Sequence, residues 1–295
     1  MKTEKIEILS VALLDEQRSL VEELKRLAAA LGIGLGWHYL LDLSWIITQL
    51  GEVSGKRIMD AGAGTGLMQW YLAERGAHVI SVDRGSRADL SLRYRARYRV
   101  DGLREEDLWP GRAVWAKNVR RANGAGKLLA GLRGALGLAR LMLPASAPGR
   151  VTLYNQDLCH LPLIADASLD AVVAVSALEH NPPEELAQVV TELMRTLKPG
   201  GMLLATLGAG RDADWFHAPS QGWNYTDTTL RRLFDLPPDT PSNYHLHDAL
   251  LSKLKDCAEL RDNLAAFYFQ SGDNGMPWGR WDPQYQPVGV CKIKS

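Results

Sequence analysis

The sequence predicts an α/β fold built on a doubly wound, mostly parallel sheet. A strand, a Gly-rich turn, a helix and a second strand follow one another over 56–83, and such a βαβ unit implies parallel strands. Further strand-like runs follow at 151–154, 171–175 and 202–207. The run at 171–175 is apolar throughout, as expected for a strand covered on both faces. Two last runs, 265–269 and 288–293, have a short connection that favours an antiparallel pair.

Composition narrows the class of protein. With 295 residues, 46% hydrophobic and 23% charged, the chain is ordinary globular protein, which excludes collagen, coiled coil and global disorder. The formal net charge of 0 disfavours a uniformly basic nucleic-acid binder. Three scattered cysteines without a C-x-x-C pair fit a reducing compartment and no zinc site. Because a signal-peptide core and a membrane-length apolar run are both missing, we expect a cytoplasmic protein.

The regions outside the βα pattern predict how the chain is divided into domains. Apolar residues recur at helical spacing over 10–31 and 38–50, so we expect an N-terminal helical cap at 1–53 before a main domain at 54–295. Within that domain, 208–263 forms a substrate-side region.

The connection over 84–150 is far longer than a crossover requires. It carries 15 Lys and Arg but 5 Asp and Glu, a local charge of +10, so the rest of the chain carries −10. We expect a basic helical insert between the second and third strands. The stretch 126–143 reads as a basic amphipathic helix, either a lid packed on its domain or an interfacial helix on anionic lipid. Binding of an anionic substrate or nucleic acid is a further alternative.

The Gly-rich turn reads Asp60-Ala61-Gly62-Ala63-Gly64-Thr65-Gly66. Glycines here let a ligand approach the backbone closely, beside the amides of a helix N-terminus. The spacing is G-x-G-x-G, with Leu67 where the dinucleotide pattern G-x-G-x-x-G has its third glycine. Asp83 ends the second strand, where a carboxylate accepts both hydroxyls of a ribose. The structural alternative is that Asp83 only caps the next segment.

Two more polar segments follow strands. Asn155-Gln156-Asp157-Leu158 ends the third strand, and Ser176-Ala177-Leu178-Glu179-His180-Asn181 ends the fourth. The carboxyl ends of parallel strands form the edge at which open α/β sheets bind ligands. We therefore expect these side chains to line a ligand site.

Taken in order, these motifs resemble the class I S-adenosylmethionine-dependent methyltransferases. The likeness covers roughly 54–207 apart from the insert, and also includes Leu169-Asp170-Ala171-Val172-Val173 and Leu197-Lys198-Pro199-Gly200-Gly201. It is greatest to the small-molecule group that includes quinone-biosynthesis methyltransferases. The resemblance implies a Rossmann-like, seven-stranded sheet with the last strand antiparallel and inserted between strands five and six. It also implies S-adenosylmethionine as cofactor, S-adenosylhomocysteine as product and no metal.

The resemblance also implies a set of cofactor-binding residues. The glycines would line the methionyl and ribose part, Asp83 would bind the ribose diol, and Asp60 would orient the turn or reach the amino group. Asp157 would accept from the adenine amino group while the Leu158 amide donates to a ring nitrogen. The complete expected set is Asp60, Ala61, Gly62, Gly64, Gly66, Asp83, Arg84, Asp157, Leu158 and Ser176.

His180 is the candidate general base, because an imidazole titrates near neutral pH and this one follows the fourth strand. Its alternative role is packing before Pro182-Pro183. His38 and Tyr39 precede the first strand, where the family closes over its cofactor. His217, His245 and His247 are further candidate bases. Aromatic residues concentrated between 215 and 281 form either a substrate pocket or ordinary core: Trp215, Phe216, Trp223, Tyr225, Trp278 and Trp281.

The functional expectation is methylation of a small molecule, on a hydroxyl of a sugar, a glycan precursor or a natural product, with a lipid-linked acceptor included. Peripheral membrane contact through 126–143 would accompany such an acceptor. One alternative is a methyltransferase acting on RNA or protein, although the Asn/Asp-Pro-Pro-Tyr motif of base-modifying enzymes is replaced by Glu179-His180-Asn181-Pro182. Another is a non-catalytic, cofactor-binding regulatory module.

Overall fold

The computed structural model describes residues 3–262 and 280–295. The chain divides into two compact units, which we call the first unit (Met1–Glu52 with Leu158–Ser295) and the second unit (Val53–Asp157). The predicted strand at 265–269 and Trp278 lie outside the described residues.

The strands are short, except for one of 13 residues. In chain order they are β1 (Lys5–Ile8), β2 (Arg57–Ala61), β3 (His78–Asp83), β4 (Arg99–Gly102), β5 (Arg150–Asn155), β6 (Leu169–Val175), β7 (Leu197–Ala209), β8 (Trp215–His217), β9 (Gly222–Tyr225) and β10 (Pro287–Ile293).

The α-helices include three of 14 residues or more. In chain order they are α1 (Leu13–Glu16), α2 (Arg18–Leu31), α3 (Tyr39–Leu50), α4 (Met68–Glu74), α5 (Leu92–Arg97), α6 (Gly111–Arg121), α7 (Ala125–Arg140), α8 (Pro183–Thr196), α9 (Asp227–Leu233), α10 (His247–Lys255) and α11 (Ala258–Asp262).

The second unit has a parallel sheet in the order β2-β3-β5-β4. The inner strand β3 is buried along most of its length, including the polar Ser81. Its C-terminal residue, Asp83, lies beside Asn155 at the end of β5. The predicted parallel α/β class is therefore confirmed.

The insert over 84–150 differs from the expected all-helical segment. It contributes the strand β4, which pairs in parallel with the free edge of β5. The pairing satisfies backbone groups that an exposed edge strand would leave open. The insert is also anchored to α4 by aromatic packing, because Trp70 stacks on Tyr94 with ring centroids 4.9 Å apart.

The first unit has strands in the order β1-β10-β7-β6. β6 and β7 are parallel, while β10 runs antiparallel to β7, as predicted for the last strand. The helices expected over 10–31 and 38–50 are preceded by a strand that the sequence analysis did not predict, since β1 pairs antiparallel with the other edge of β10. Its four residues alternate half-buried and buried, so Ile6 and Ile8 enter the core.

Helix α3 follows directly after His38 in the first unit. It is buried along most of its length, including the polar Asp42 and Ser44. The preceding His38 is the N-cap residue, so its ring lies over the first turn of the helix. None of the described helices is both long and apolar enough to cross a membrane.

Candidate active site

The Gly-rich turn in the second unit is fixed by the end of β3. The amides of Gly62 and Ala63 both donate to the carbonyl of Val82, at 2.9 and 3.0 Å. Gly64 has a φ of +48°, a left-handed conformation that favours glycine. The turn thus exposes backbone where a side chain would otherwise stand, as the sequence predicts.

Asp83 ties this turn to β3. Its Oδ2 accepts from the Gly64 amide at 2.8 Å, and its Oδ1 accepts from the Gly85 amide at 2.6 Å. The carboxylate is half-buried and keeps lone pairs for additional donors. Arg84, the next residue, is exposed.

Asp60 lies beneath the turn with 2% of its surface exposed. Among the described residues, its Oδ2 has no hydrogen-bond partner. Burial raises the pKa of this carboxyl to about 7, and Asp83 adds to the shift while the charge of Arg87 opposes it. A buried carboxylate oxygen without a donor is costly, so it marks a place where a ligand donor would be stabilising.

A buried polar network supports the turn, and sequence analysis did not identify it. The guanidinium of Arg87 donates to the Gly64 carbonyl at 3.3 Å and to the Ser81 carbonyl at 2.8 Å. Gln69 donates to the carbonyls of Gly64 and Gly66 and accepts from the Ser81 hydroxyl. Arg87 resembles the exposed arginines around it in sequence, and only its burial distinguishes it.

The end of β5 is held by a second buried carboxylate. Asp107, which is fully buried, accepts from the Asn155 amide at 2.9 Å and from the Arg104 guanidinium. Burial alone would raise the pKa of Asp107, but these hydrogen bonds outweigh it and the pKa lies below its ordinary value. These hydrogen bonds fasten the insert to the end of β5. Asp157, two residues further on, is exposed, and Leu158, the first residue of the following segment of the first unit, is half-buried.

In the first unit, the segment after β6 is strained. Ser176 has a φ of +45°, which is uncommon for a residue with a side chain. Its hydroxyl donates to Glu179 Oε1 at 2.5 Å. Glu179 is buried, and among the described residues its Oε2 has no hydrogen-bond partner. Burial raises the pKa of Glu179, partly opposed by the neighbouring His180.

These residues border a cleft that lies wholly within the first unit. Its empty volume, which includes space open to solvent, is about 460 Å³. The lining is aromatic and polar, consisting of Trp37, His38, Tyr39, Ser176, Glu179, His180, Gly208, Ser220, Gly222, Trp223, Asn224 and Tyr285.

His180 lies on this cleft and is exposed. Its Nδ1 is 2.9 Å from the carbonyl oxygen of Gln221, so Nδ1 must be the donor. The neutral ring then presents Nε2 as an acceptor, the form that a general base requires.

A second imidazole, that of His38, also lines the cleft and comes from the N-terminal part of the chain. His38 Nδ1 is 2.5 Å from Asp42 Oδ2, and both side chains are buried. The sequence placed His38 and Tyr39 near a cofactor but did not identify Asp42 as a partner. The i, i+4 spacing at the start of α3 was the available signal, since residues so spaced share a helix face.

The other predicted candidates are less favourably placed. His217 is buried, and its Nδ1 accepts from the Ser220 amide at 3.2 Å, while burial lowers its pKa. His247 contacts Asp248, and His245 is exposed. Of the predicted aromatic cluster, Trp223 lines the cleft, whereas Tyr225 is core. Trp37 and Tyr285, which the sequence did not single out, also line it.

Within 3–262 and 280–295, no three His, Cys, Asp or Glu side chains are grouped to hold a metal ion.

Comparisons with known proteins find likenesses to methyltransferases. Residues 133–205 match a family described as "Methyltransferase domain". A ubiquinone biosynthesis O-methyltransferase of Aeromonas salmonicida is 46% identical over 43 residues, covering 15% of this chain and 18% of that protein. Its counterpart in Acinetobacter baumannii is 40% identical over 45 residues, covering 15% and 19%. The chain thus matches less than a fifth of the length of these curated relatives.

Solved structures also resemble the chain. The geranyl diphosphate C-methyltransferase of Streptomyces coelicolor, in complex with Mg²⁺, geranyl diphosphate and S-adenosylhomocysteine, aligns with a TM-score of 0.45 and 14% identity. That alignment covers 88% of this chain and 79% of the other.

Proposed function

We propose that the chain is a class I S-adenosylmethionine-dependent methyltransferase and that it transfers the methyl group of S-adenosylmethionine to a hydroxyl of a small molecule. A sugar, a glycan precursor or another natural product would supply the hydroxyl. The observation that carries the proposal is the Gly-rich turn, whose Gly64 amide is bound by Asp83 while Asp60 Oδ2 has no described partner.

The residues of the second unit fit this cofactor. The unpartnered Asp60 oxygen suits the cofactor's ammonium group, and the remaining lone pairs of Asp83 suit two ribose hydroxyls. Gly62, Gly64 and Gly66 leave room for close approach to the backbone. Arg84 and Asp157 belong to the same proposed set in this unit. Leu158 and Ser176, which lie in the first unit, are proposed for the cofactor from the sequence resemblance alone. Bound S-adenosylmethionine supplies an electrophilic methyl group on a positively charged sulfur.

The protein's own contribution is binding, orientation and proton removal. The aromatic walls of the cleft would hold a flat acceptor and exclude water. Asn224 and Glu179 are buried and carry oxygens without described partners, so they would accept hydrogen bonds from an acceptor's hydroxyl groups. His180, the base predicted from the sequence, is one of two imidazoles in the described lining of the cleft, the other being His38.

Titration calorimetry with S-adenosylmethionine tests the cofactor assignment. We expect saturable binding with one cofactor per chain, and tighter or comparable binding of the product S-adenosylhomocysteine. The nucleotide adenosine triphosphate serves as a control that shares the adenosine but lacks the ammonium group. Absence of heat with S-adenosylmethionine, at concentrations well above the micromolar range, would defeat the proposed function.

We further propose that α7 contacts an anionic membrane surface, which would give access to a lipid-linked acceptor. Four of its leucines are exposed by 48% to 72%, namely Leu128, Leu129, Leu132 and Leu136. Met142 and Leu143, just after the helix, are exposed by 88% and 66%. The segment 108–150 contains eight Lys and Arg and no acidic residue. An apolar helix face with basic flanks matches an anionic lipid interface.

Close helix packing explains why these leucines point outward. A Cβ atom at Gly134 would lie 2.0 Å from the Trp115 ring on α6, so only glycine permits this approach. Leu138 and Leu141 lie on the same inner side, near Gly111. The inner face of α7 is therefore already used for packing, and the outer leucines have no such partner to cover them.

Liposome co-sedimentation tests this surface. We expect the protein to pellet with vesicles containing phosphatidylglycerol, less with pure phosphatidylcholine, and less at high salt, which screens the basic residues. Replacing Leu128, Leu132 and Leu136 together with serine should weaken binding by at least about tenfold, since each leucine buried in lipid contributes about 1 kcal/mol or more. Leu163→Ser, at a position 53% exposed outside the insert, is the matched control. Equal recovery in the supernatant with and without anionic vesicles would sink the proposal.

A further inference from the structure

The cleft of the first unit contains a buried pair that the cofactor assignment does not use. His38 and Asp42 have 6% and 0% of their surface exposed, and they are joined through His38 Nδ1 and Asp42 Oδ2. Among the described residues, none forms a hydrogen bond with His38 Nε2. A carboxylate that holds one ring nitrogen fixes the tautomer, and it leaves the other nitrogen to accept a proton.

The surroundings of His38 favour its charged form after proton transfer. Burial alone would lower the pKa of His38, but the charge and hydrogen bond of Asp42 and the charge of Glu179 raise it above its ordinary value. The neighbouring rings do not add positive charge, since Trp37, Tyr39 and Tyr285 pack around the imidazole with centroids 4.6 to 5.9 Å away. The other titratable groups of the cleft lining are Tyr39, Glu179, Tyr285 and His180, which lies beside Glu179. His217 is outside this lining, with its ring 5.4 Å from that of Tyr285.

We infer that His38, oriented by Asp42, is the group that takes the proton of the acceptor hydroxyl, an inference that rests on the proposed methyl transfer. The O–H bond breaks and its proton moves to His38 Nε2. The oxygen's electron pair forms the new O–C bond as the methyl carbon separates from sulfur, and the C–S electron pair stays on sulfur. The imidazolium then releases its proton to solvent.

The contrast with His180 supports this assignment. His180 is exposed and its Nδ1 donates to a neutral backbone carbonyl, whereas His38 is buried and its Nδ1 is held by a carboxylate. A carboxylate stabilises the imidazolium far more than a carbonyl does, particularly away from water. His38 is therefore the stronger proton acceptor in the cleft.

A chromophoric phenol tests the inference without knowledge of the natural acceptor. The probe is 4-nitrophenol, whose absorption distinguishes the phenol from the phenolate. In mildly acidic buffer, where the free probe is mostly neutral, we expect the wild-type protein to bind it as phenolate. His38→Gln should lose the phenolate signal, while the control His160→Gln, at an exposed histidine outside the cleft lining, should retain it.

Asp42→Asn provides the second variant and separates positioning from folding. Loss of the carboxylate should lower the phenolate-to-phenol ratio of the bound probe by at least about tenfold, because an adjacent opposite charge shifts a pKa by 1–3 units. A merely structural Asp42 would leave that ratio unchanged. Failure of the wild type to bind 4-nitrophenol, or an equal phenolate signal in His38→Gln, would overturn the inference. Calorimetry with S-adenosylmethionine stays a separate readout, so phenolate binding without cofactor binding would defeat the proposed function and leave the dyad intact.

Discussion

Asp60→Asn is expected to stabilise the cofactor-free protein at neutral and alkaline pH while weakening its affinity for S-adenosylmethionine. Burial raises the pKa of Asp60 to about 7, from an ordinary value of 3.8. A carboxyl whose pKa is raised by folding binds more protons in the folded state, so the free energy of unfolding falls as pH rises from about 4 to about 7. At about 1.4 kcal/mol per pKa unit, asparagine would recover up to about 4 kcal/mol above that range.

Urea unfolding across a pH series measures this effect. Wild-type stability should fall through the stated window, whereas Asp60→Asn should remain flatter, and the two should converge below about pH 4, where Asp60 is protonated in both states. The charge of Asp60 also faces Arg87, so part of the gain is offset by the loss of that attraction.

Asp107→Asn is the control of opposite sign. The pKa of Asp107 lies below its ordinary value, so its contribution to stability is present above about pH 4 and is lost as pH falls through the folded-state pKa. Its replacement should destabilise the protein at neutral pH by about 1–3 kcal/mol, because buried donors lose their acceptor. Parallel stability curves for Asp60→Asn and the wild type would contradict the burial argument.

The cofactor affinity of Asp60→Asn should change in the other direction. The proposed ammonium partner would lose its charge, and a charge-assisted hydrogen bond contributes about 1.5–3 kcal/mol, which is about 10- to 100-fold in Kd. A residue that destabilises the free protein yet strengthens ligand binding is the expected signature of a functional site.

The sequence predicted the parts of the fold that follow from hydrophobic pattern. The strand β6 is recognisable because its run at 171–175 is apolar throughout, as expected for a strand covered on both faces. The strand β1 was missed because Lys5–Ile8 is four residues long, and its alternation is too short to distinguish from a helical start. The strand β4 lies in an arginine-rich stretch, and its pairing depends on the free edge of β5, which is a tertiary feature.

The candidate site likewise has features that the local sequence predicts and features that depend on tertiary packing. The spacing of the Gly-rich turn and Asp83 is local, and the structure joins Gly64 to Asp83 directly. Arg87 and Asp107 gain their importance from burial, which no local pattern reveals among so many charged neighbours. The His38 and Asp42 pair had a helical spacing signal, but its position in a cleft depends on packing against residues more than 130 positions away.

Asp83→Ala is expected to weaken S-adenosylmethionine binding by about 100-fold, or about 3 kcal/mol. In the proposed mode, the carboxylate accepts from two ribose hydroxyls, and hydrogen bonds to a charged group contribute about 1.5–3 kcal/mol each. The substitution also removes the acceptor of the Gly64 and Gly85 amides, so the turn itself loses an anchor. Titration calorimetry on the purified variant gives the change in Kd.

Two further variants make this result specific to the Asp83 carboxylate. Asp83→Asn keeps one acceptor oxygen without the charge and should give an intermediate affinity. Asp212→Ala, at a side chain 85% exposed, removes the same charge from the surface and should leave the Kd unchanged within about threefold. If Asp83→Ala also stays within that range, the ribose assignment is wrong, and the carboxylate serves only to hold Gly64. If the affinity for the cofactor instead falls from wild type to Asp83→Asn and again to Asp83→Ala, both the charge and the oxygen of Asp83 contribute to cofactor binding.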